Sequence, residues 1–225
     1  MVTSPQGIGY TGEQELEEYI SAHISPEGKL LKDLYRETNL RLLNPRMASG
    51  HIQGSLLKML VSMIKPQCVL EVGTFSGYSA LCMAESLPPH GVLHTVEIND
   101  EHEDFIKNWI SRSPFADRII LHIGDALKVV PKLGLEFDLI FLDGEKTEYP
   151  DYYRMLTGYL SPGGYILADN TLWDGHVVDH SYDSDPQTVA VRCFNDMVAA
   201  DDRMEVSMIP IRDGITIIRK KQTEQ

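Results

Sequence analysis

The chain has 225 residues, of which 43% are hydrophobic and 24% charged, with a formal net charge of -13 at pH 7. That length and composition suit one soluble α/β domain whose core needs no covalent staples, and the negative balance speaks against a nucleic-acid backbone as partner. Cys68, Cys82 and Cys193 read as reduced core thiols of a cytoplasmic protein, no signal peptide opens the chain, and no apolar run is long enough to cross a bilayer.

Residues 1–10 carry few large apolar groups and are expected to form a mobile tail; the whole of 1–225 is otherwise one domain. Thr11 and Gln14 have capping-box spacing, and Leu16, Tyr19, Ile20 and Ile24 follow at helical intervals. Ser25-Pro26 predicts the start of a second helix with apolar face Leu30, Leu31, Leu34 and Tyr35, ended by Asn44-Pro45. A third runs from about Gly50 to Ile64 and stops at Lys65-Pro66. Strand candidates then alternate with helices: strands at 68–72, 92–97, 118–123, 137–142 and 164–169, helices near 78–87, 100–113, 125–132 and 148–160. This rhythm predicts a parallel sheet. Asp185-Pro186 opens a last helix. Strands 204–209 and 214–219 follow, joined by Pro210-Ile211-Arg212-Asp213, a link so short that it makes an antiparallel hairpin. The expected fold is a Rossmann-like sandwich with a mostly parallel seven-stranded sheet, an antiparallel C-terminal edge hairpin and N-terminal helices.

The chemistry gathers at strand ends. The stretch 68–79 is a buried strand, a glycine turn (Gly73, Gly77) and a helix start, which makes a cradle for a nucleotide-like ligand. The dinucleotide pattern G-x-G-x-x-G is absent, and the carboxylate of Glu71 favours a cationic or hydroxyl-bearing ligand over a phosphate. Glu97 ends the second strand 24 positions after Gly73, where an acid accepts hydrogen bonds from ribose hydroxyls. Asp125 follows the third strand and can cap the next helix. Asp143 ends the fourth strand and Asp169-Asn170 the fifth. Two carboxylates and an amide on neighbouring strands offer the hard oxygen set of Mg²⁺, or of Mn²⁺ or Ca²⁺, provided the strand has ended by Asn170. Lys146, three residues past Asp143, would lose its proton more easily beside such a cation and so serve as a general base. His176 and His180 are four apart but lie in an unpatterned run, and zinc is not expected there. His51 lies near the site, and Phe105 and Trp109 read as core.

Taken together, Glu71, Glu97, Asp143, Lys146, Asp169 and Asn170, with the segment 47–54, resemble the cation-dependent class I S-adenosylmethionine O-methyltransferases, the group of catechol and caffeoyl-coenzyme A O-methyltransferases. The similarity covers about residues 45–221. It implies that Met47, Ser49, Glu71, Gly73, Phe75, Tyr78, Ser79, Glu97, Ile98, Asp125, Ala126 and Asp143 line S-adenosylmethionine, with Asp125 at its adenine end, an alternative on equal terms with the helix cap. It further implies that Asp143, Asp169 and Asn170 hold the metal, that Lys146 is the base, assisted by Asp143, and that Met47, Lys146, Asn170 and Trp173 meet the acceptor. Glu145 replaces an aspartate common in the plant branch, and the amino-terminal arm is the chain's own. The implied reaction is methyl transfer to a hydroxyl of a vicinal aromatic diol. Separately, a cytoplasmic homodimer is expected, because the three leading helices offer more apolar face than one sheet needs and the reversed hairpin leaves a strand edge to cover. The rivals are methylation of a hydroxylated uridine in transfer RNA, a nicotinamide oxidoreductase, and a non-catalytic binding module.

Overall fold

Residues 13–222 are described by the structure, a computed structural model. Three helices lead: α1 (Glu13–His23), α2 (Lys29–Arg41) and α3 (Gly50–Ile64). Then come β1 (Cys68–Val72), α4 (Tyr78–Glu85), β2 (Val92–Glu97), α5 (Glu103–Ile110), β3 (Ile119–Ile123) and α6 (Ala126–Leu133). The second half holds β4 (Phe137–Leu142), α7 (Tyr149–Leu156), β5 (Leu160–Asp169), α8 (Pro186–Ala199), β6 (Met204–Ile209) and β7 (Ile215–Lys220). One sheet takes all seven strands in the order β3-β2-β1-β4-β5-β7-β6. The first five pair in parallel, and β7 runs antiparallel to both β5 and β6.

Successive strand residues face opposite sides, and the core divides accordingly. Val69, Leu139 and Leu167 pack on one face against α2, α3, α4 and α5. Leu70, Ile140 and Ile166 pack on the other with Val130, Tyr153 and Phe194 from α6, α7 and α8. Both faces are covered by helices, which is why β1 and β4 read as continuous apolar runs. Among the described residues no helix is long and apolar enough to cross a membrane.

Several boundaries differ from the sequence reading. The tail at 1–10 and Thr11 of the capping box lie outside the described residues. The second helix starts at Lys29 behind Gly28, an extended residue without a side-chain cap, and not at Ser25-Pro26. Glu27 is held instead by the Tyr78 hydroxyl, which keeps this stretch out of the helix. That helix ends at Arg41, ahead of Asn44. Strand β5 begins four residues early because Leu160 pairs with Phe137 before a register shift lets Tyr165 meet Leu139. Residues 100–102 form a 3₁₀ turn before α5, and 146–148 another before α7. Trp109 is buried, with Phe105 packed against the same core. Cys68 is half-buried and Cys82 buried, but Cys193 is exposed on α8. Its neighbours Val191 and Phe194 are buried, and the helical turn carries Cys193 outward.

Candidate active site

The turn after β1 is tight because two glycines and Phe75 take left-handed backbone angles: Gly73 at φ 99, Phe75 at φ 49 and Gly77 at φ 84. A Cβ on Gly73 would lie 2.1 Å from the carbonyl oxygen of Asp143, so only glycine lets this turn meet the end of β4. Gly77 then stands at the amino end of α4.

Three acids border the turn. Glu97 accepts from the Phe75 N–H at 2.6 Å through Oε2 and from the Asn99 N–H at 2.9 Å through Oε1. It is thus locked at the end of β2, next to the exposed Ile98. Glu71 is fully buried, and its Oε2 accepts from the Thr95 hydroxyl. Burial pushes its pKa up to about 8, so the carboxyl is mainly neutral at pH 7. Asp125 caps α6, accepting from the Leu127 N–H at 2.9 Å, and Lys128 beside it draws its pKa down. The cap half of its double reading is therefore seen directly. The Tyr78 ring points away from the turn, into the packing beneath α3, where a Cβ on Gly54 would meet it at 2.9 Å.

The ends of β4 and β5 form an acid rim. Their last paired residues are Leu142 and Ala168, which brings Asp143 beside Asp169. Lys146 Nζ donates to Asp143 Oδ1 at 2.8 Å and to the Tyr149 hydroxyl at 2.8 Å. That hydroxyl is anchored to the carbonyl oxygens of Asp169, at 2.9 Å, and Leu142, at 3.2 Å. Lys146 is buried, and in the metal-free protein its pKa is raised. Burial alone would lower it, but the Asp143 carboxylate and Tyr149 outweigh burial and hold it well above the usual lysine range. Asp169 accepts from Gln53 Nε2 at 2.7 Å, and burial together with the Asp143 charge raises its pKa. Strand β5 has ended by Asn170, which turns left-handed at φ 56. The Asn170 amide donates to Asp213 Oδ2 at 3.2 Å, which leaves its carbonyl oxygen as a ligand atom. Trp173 follows in the same loop, half-buried at φ 46.

The donor chemistry of this rim fits a hard divalent cation: two carboxylates that repel each other, plus one neutral oxygen. Among the described residues no three His, Cys, Asp or Glu side chains gather as a metal shell, and the rim has two acids and an amide. His176 stacks on Tyr182, and His180 is exposed beside Asp183. His51 is bonded to the Ser25 carbonyl at 2.9 Å and so faces the leading helices. On the other wall stand Met47, exposed, and Ser49, buried.

Four contributors escaped the sequence reading: Gln53, Tyr149, Arg212 and Asp213. Gln53 alone carried a signal, as a polar residue embedded in the apolar pattern of α3. The other three looked like an ordinary helix start and turn.

A model of the O-methyltransferase family matches residues 18–221. A caffeoyl-CoA O-methyltransferase of Eucalyptus gunnii is 36% identical over 188 residues, 78% of this chain and 75% of that one. Caffeoyl-CoA O-methyltransferase 1 of Arabidopsis thaliana is 33% identical over 187 residues, covering 77% of this chain and 71% of that one. Among solved structures, an O-methyltransferase from Bacillus cereus in complex with SAH has a TM-score of 0.87 at 27% identity, covering 92% of this chain and 97% of that one. The O-methyltransferase TomG from Streptomyces achromogenes, in complex with SAM, has a TM-score of 0.85 at 27% identity, covering 92% and 96%. The chain belongs to the O-methyltransferase family and is an S-adenosylmethionine-dependent O-methyltransferase.

Proposed function

We propose that this enzyme methylates one hydroxyl of a vicinal dihydroxy aromatic small molecule, with a divalent cation held by Asp143, Asp169 and the amide oxygen of Asn170. One observation carries the reading. Two carboxylates meet at adjoining strand ends, beside an amide whose donor is already taken by Asp213. Mg²⁺ suits that set, and Mn²⁺ or Ca²⁺ would also fit. When bound, the cation would supply Lewis acidity to the acceptor hydroxyl and draw the Asp143 charge away from Lys146. S-adenosylmethionine supplies a methyl group already activated by its sulfonium, so no protein nucleophile is required.

The chain's own residues bind, aim and move one proton. Glu97, rigidified by two backbone N–H groups, accepts from the ribose hydroxyls of the cofactor. Met47, Ser49, Gly73, Phe75, Ser79, Ile98 and Ala126 line the rest of the cofactor, with the backbone of Tyr78 in the turn. Met47 and Trp173 flank the acceptor ring. Lys146 takes the hydroxyl proton at Nζ, and Asp143 and Tyr149 hold that nitrogen in place. Burial disfavours an ammonium here, and a cation sharing the Asp143 charge would weaken the attraction that opposes burial. Fixing acceptor and methyl donor in line provides much of the remaining acceleration. A homodimer belongs to the same proposal. Strand β6 is an open edge with Val206 and Met208 exposed, and Leu40, Leu43, Met59 and Met63 are exposed around the leading helices.

The test is methyl transfer by purified protein to a panel of catechols, in parallel with transfer RNA carrying hydroxyuridine. Catechol methylation should vanish in excess chelator and return with Mg²⁺. Undiminished turnover in chelator would sink the metal assignment. Methylation of the RNA alone would replace the acceptor, an outcome that the net charge of -13 disfavours.

A further inference from the structure

The turn between β6 and β7 reaches the opposite wall of the site. Arg212 sits on that turn with its backbone at φ 49, a region that favours glycine. Its guanidinium donates to the Ser49 carbonyl, to the Ala48 carbonyl at 3.4 Å and to the Arg46 carbonyl at 3.5 Å. It also donates to Gln53 Oε1 at 2.8 Å. Gln53 is 1% exposed, and its Nε2 donates to Asp169 Oδ2 at 2.7 Å. A guanidinium only donates and a carboxylate only accepts, so the Gln53 amide has a single orientation that satisfies both neighbours. The next residue, Asp213, holds the Asn170 amide, and its carbonyl oxygen accepts the Leu172 N–H at 2.7 Å.

We propose that Arg212 and Gln53 are positioning residues that form a strap. Arg212 clamps residues 46–49, the wall carrying Met47 and Ser49, onto the rim of β5. Gln53 passes the clamp on by fixing the rotamer of Asp169. The four acceptors around Arg212 come from one short segment and the first turns of α3, so releasing the guanidinium frees the connection between α2 and α3 as a unit. A long cationic side chain on a backbone suited to glycine breaks a local rule, and the clamp is what that breach provides. The clamp stands on hydrogen-bond geometry alone. The Asp169 half rests on the metal reading above.

Arg212→Gly is the informative variant, because glycine suits the backbone at φ 49, so what the fold loses is the guanidinium's hydrogen bonds and not a backbone conformation. Limited trypsin digestion of the full-length protein, followed by mass spectrometry, would report cleavage after the exposed Arg46. Cleavage there should quicken about tenfold with little change in melting temperature, because relief of the backbone at φ 49 opposes the loss of the hydrogen bonds that guard the local opening. Arg212→Lys should restore only part of the protection, since an ammonium cannot span the same fork of acceptors. Cleavage at the parent rate in Arg212→Gly would overturn the strap. For the second half, Mn²⁺ binding is measured without turnover, by water proton relaxation, on parent and Gln53→Leu. The variant should bind Mn²⁺ about 10–100-fold more weakly, the usual effect of losing an outer partner of a metal ligand. Equal affinity would overturn the Asp169 half. A parent that binds no Mn²⁺ would overturn the metal reading instead, and the proteolysis result would then decide the strap by itself.

Discussion

Glu71 offers a direct test of how the site handles charge. It is fully buried, with a pKa of about 8 against an ordinary 4.5. Between those values the folded protein keeps a proton at Glu71 that the unfolded chain releases. Stability from this group is therefore fully present at acid pH and lost as pH rises from about 4.5 to 8. Glu71→Gln cannot titrate, while its side-chain oxygen still accepts from Thr95. Relative to the parent, the variant should gain stability as pH rises from 5 to 8, by on the order of 3 kcal/mol over that interval. Other titrating groups, such as His94 and His122, are common to both proteins and cancel in the difference. Urea unfolding followed by far-ultraviolet circular dichroism, at unit steps of pH, reads the quantity directly. A stability difference that stays flat from pH 5 to 8 would mean that Glu71 is ionised throughout, and the reasoning would fail. So would a difference that grows toward acid. A neutral Glu71 matters to the site, because Glu97 and Asp143 already bring two negative charges to the same strand ends.

Lys146→Ala should reduce turnover by roughly 10²–10⁴-fold, the usual share of a general base, and the defect should shrink as pH rises and solvent deprotonates the acceptor unaided. A deficit that stays constant with pH would remove Lys146 as the base while leaving the metal set standing. Sedimentation at working concentration should show a dimer; a monomer alone would mean that Val206 and Met208 on the β6 edge are simply tolerated exposed residues.

The sheet was legible because its central strands β1 and β4 are buried on both faces and announce themselves as apolar runs, Val69-Leu70 and Ile140-Phe141-Leu142. The start of β5 was not, since Gly163 and Gly164 break that pattern and only pairing with Phe137 extends the strand. Asp143 and Asp169-Asn170 could be found because acids at the carboxyl ends of parallel strands converge by topology. Their supports could not. Gln53 meets Asp169 across 116 positions, a separation no local pattern reports. Spacing placed Lys146 beside Asp143 but gave neither its depth of burial nor its bond to the Tyr149 hydroxyl, which with Asp143 raises its pKa in the metal-free protein.

The position of β7 has a consequence for how the protein is made. It is the final strand of the described chain, yet it occupies an interior place in the sheet, between β5 and β6. Arg212, just ahead of it, reaches partners 159 to 166 positions back. Contacts of such long range form late, after the closure of the loop between them has been accomplished. During synthesis, β1 to β5 can therefore assemble with the edge of β5 bare, a template for wrong pairing until the hairpin slots in. The wall at 46–49 stays loose through the same interval. Docking of the hairpin from Met204 to Lys220 thus finishes the sheet and closes the wall of the catalytic chamber in a single event, and a nascent chain halted before residue 210 would have neither.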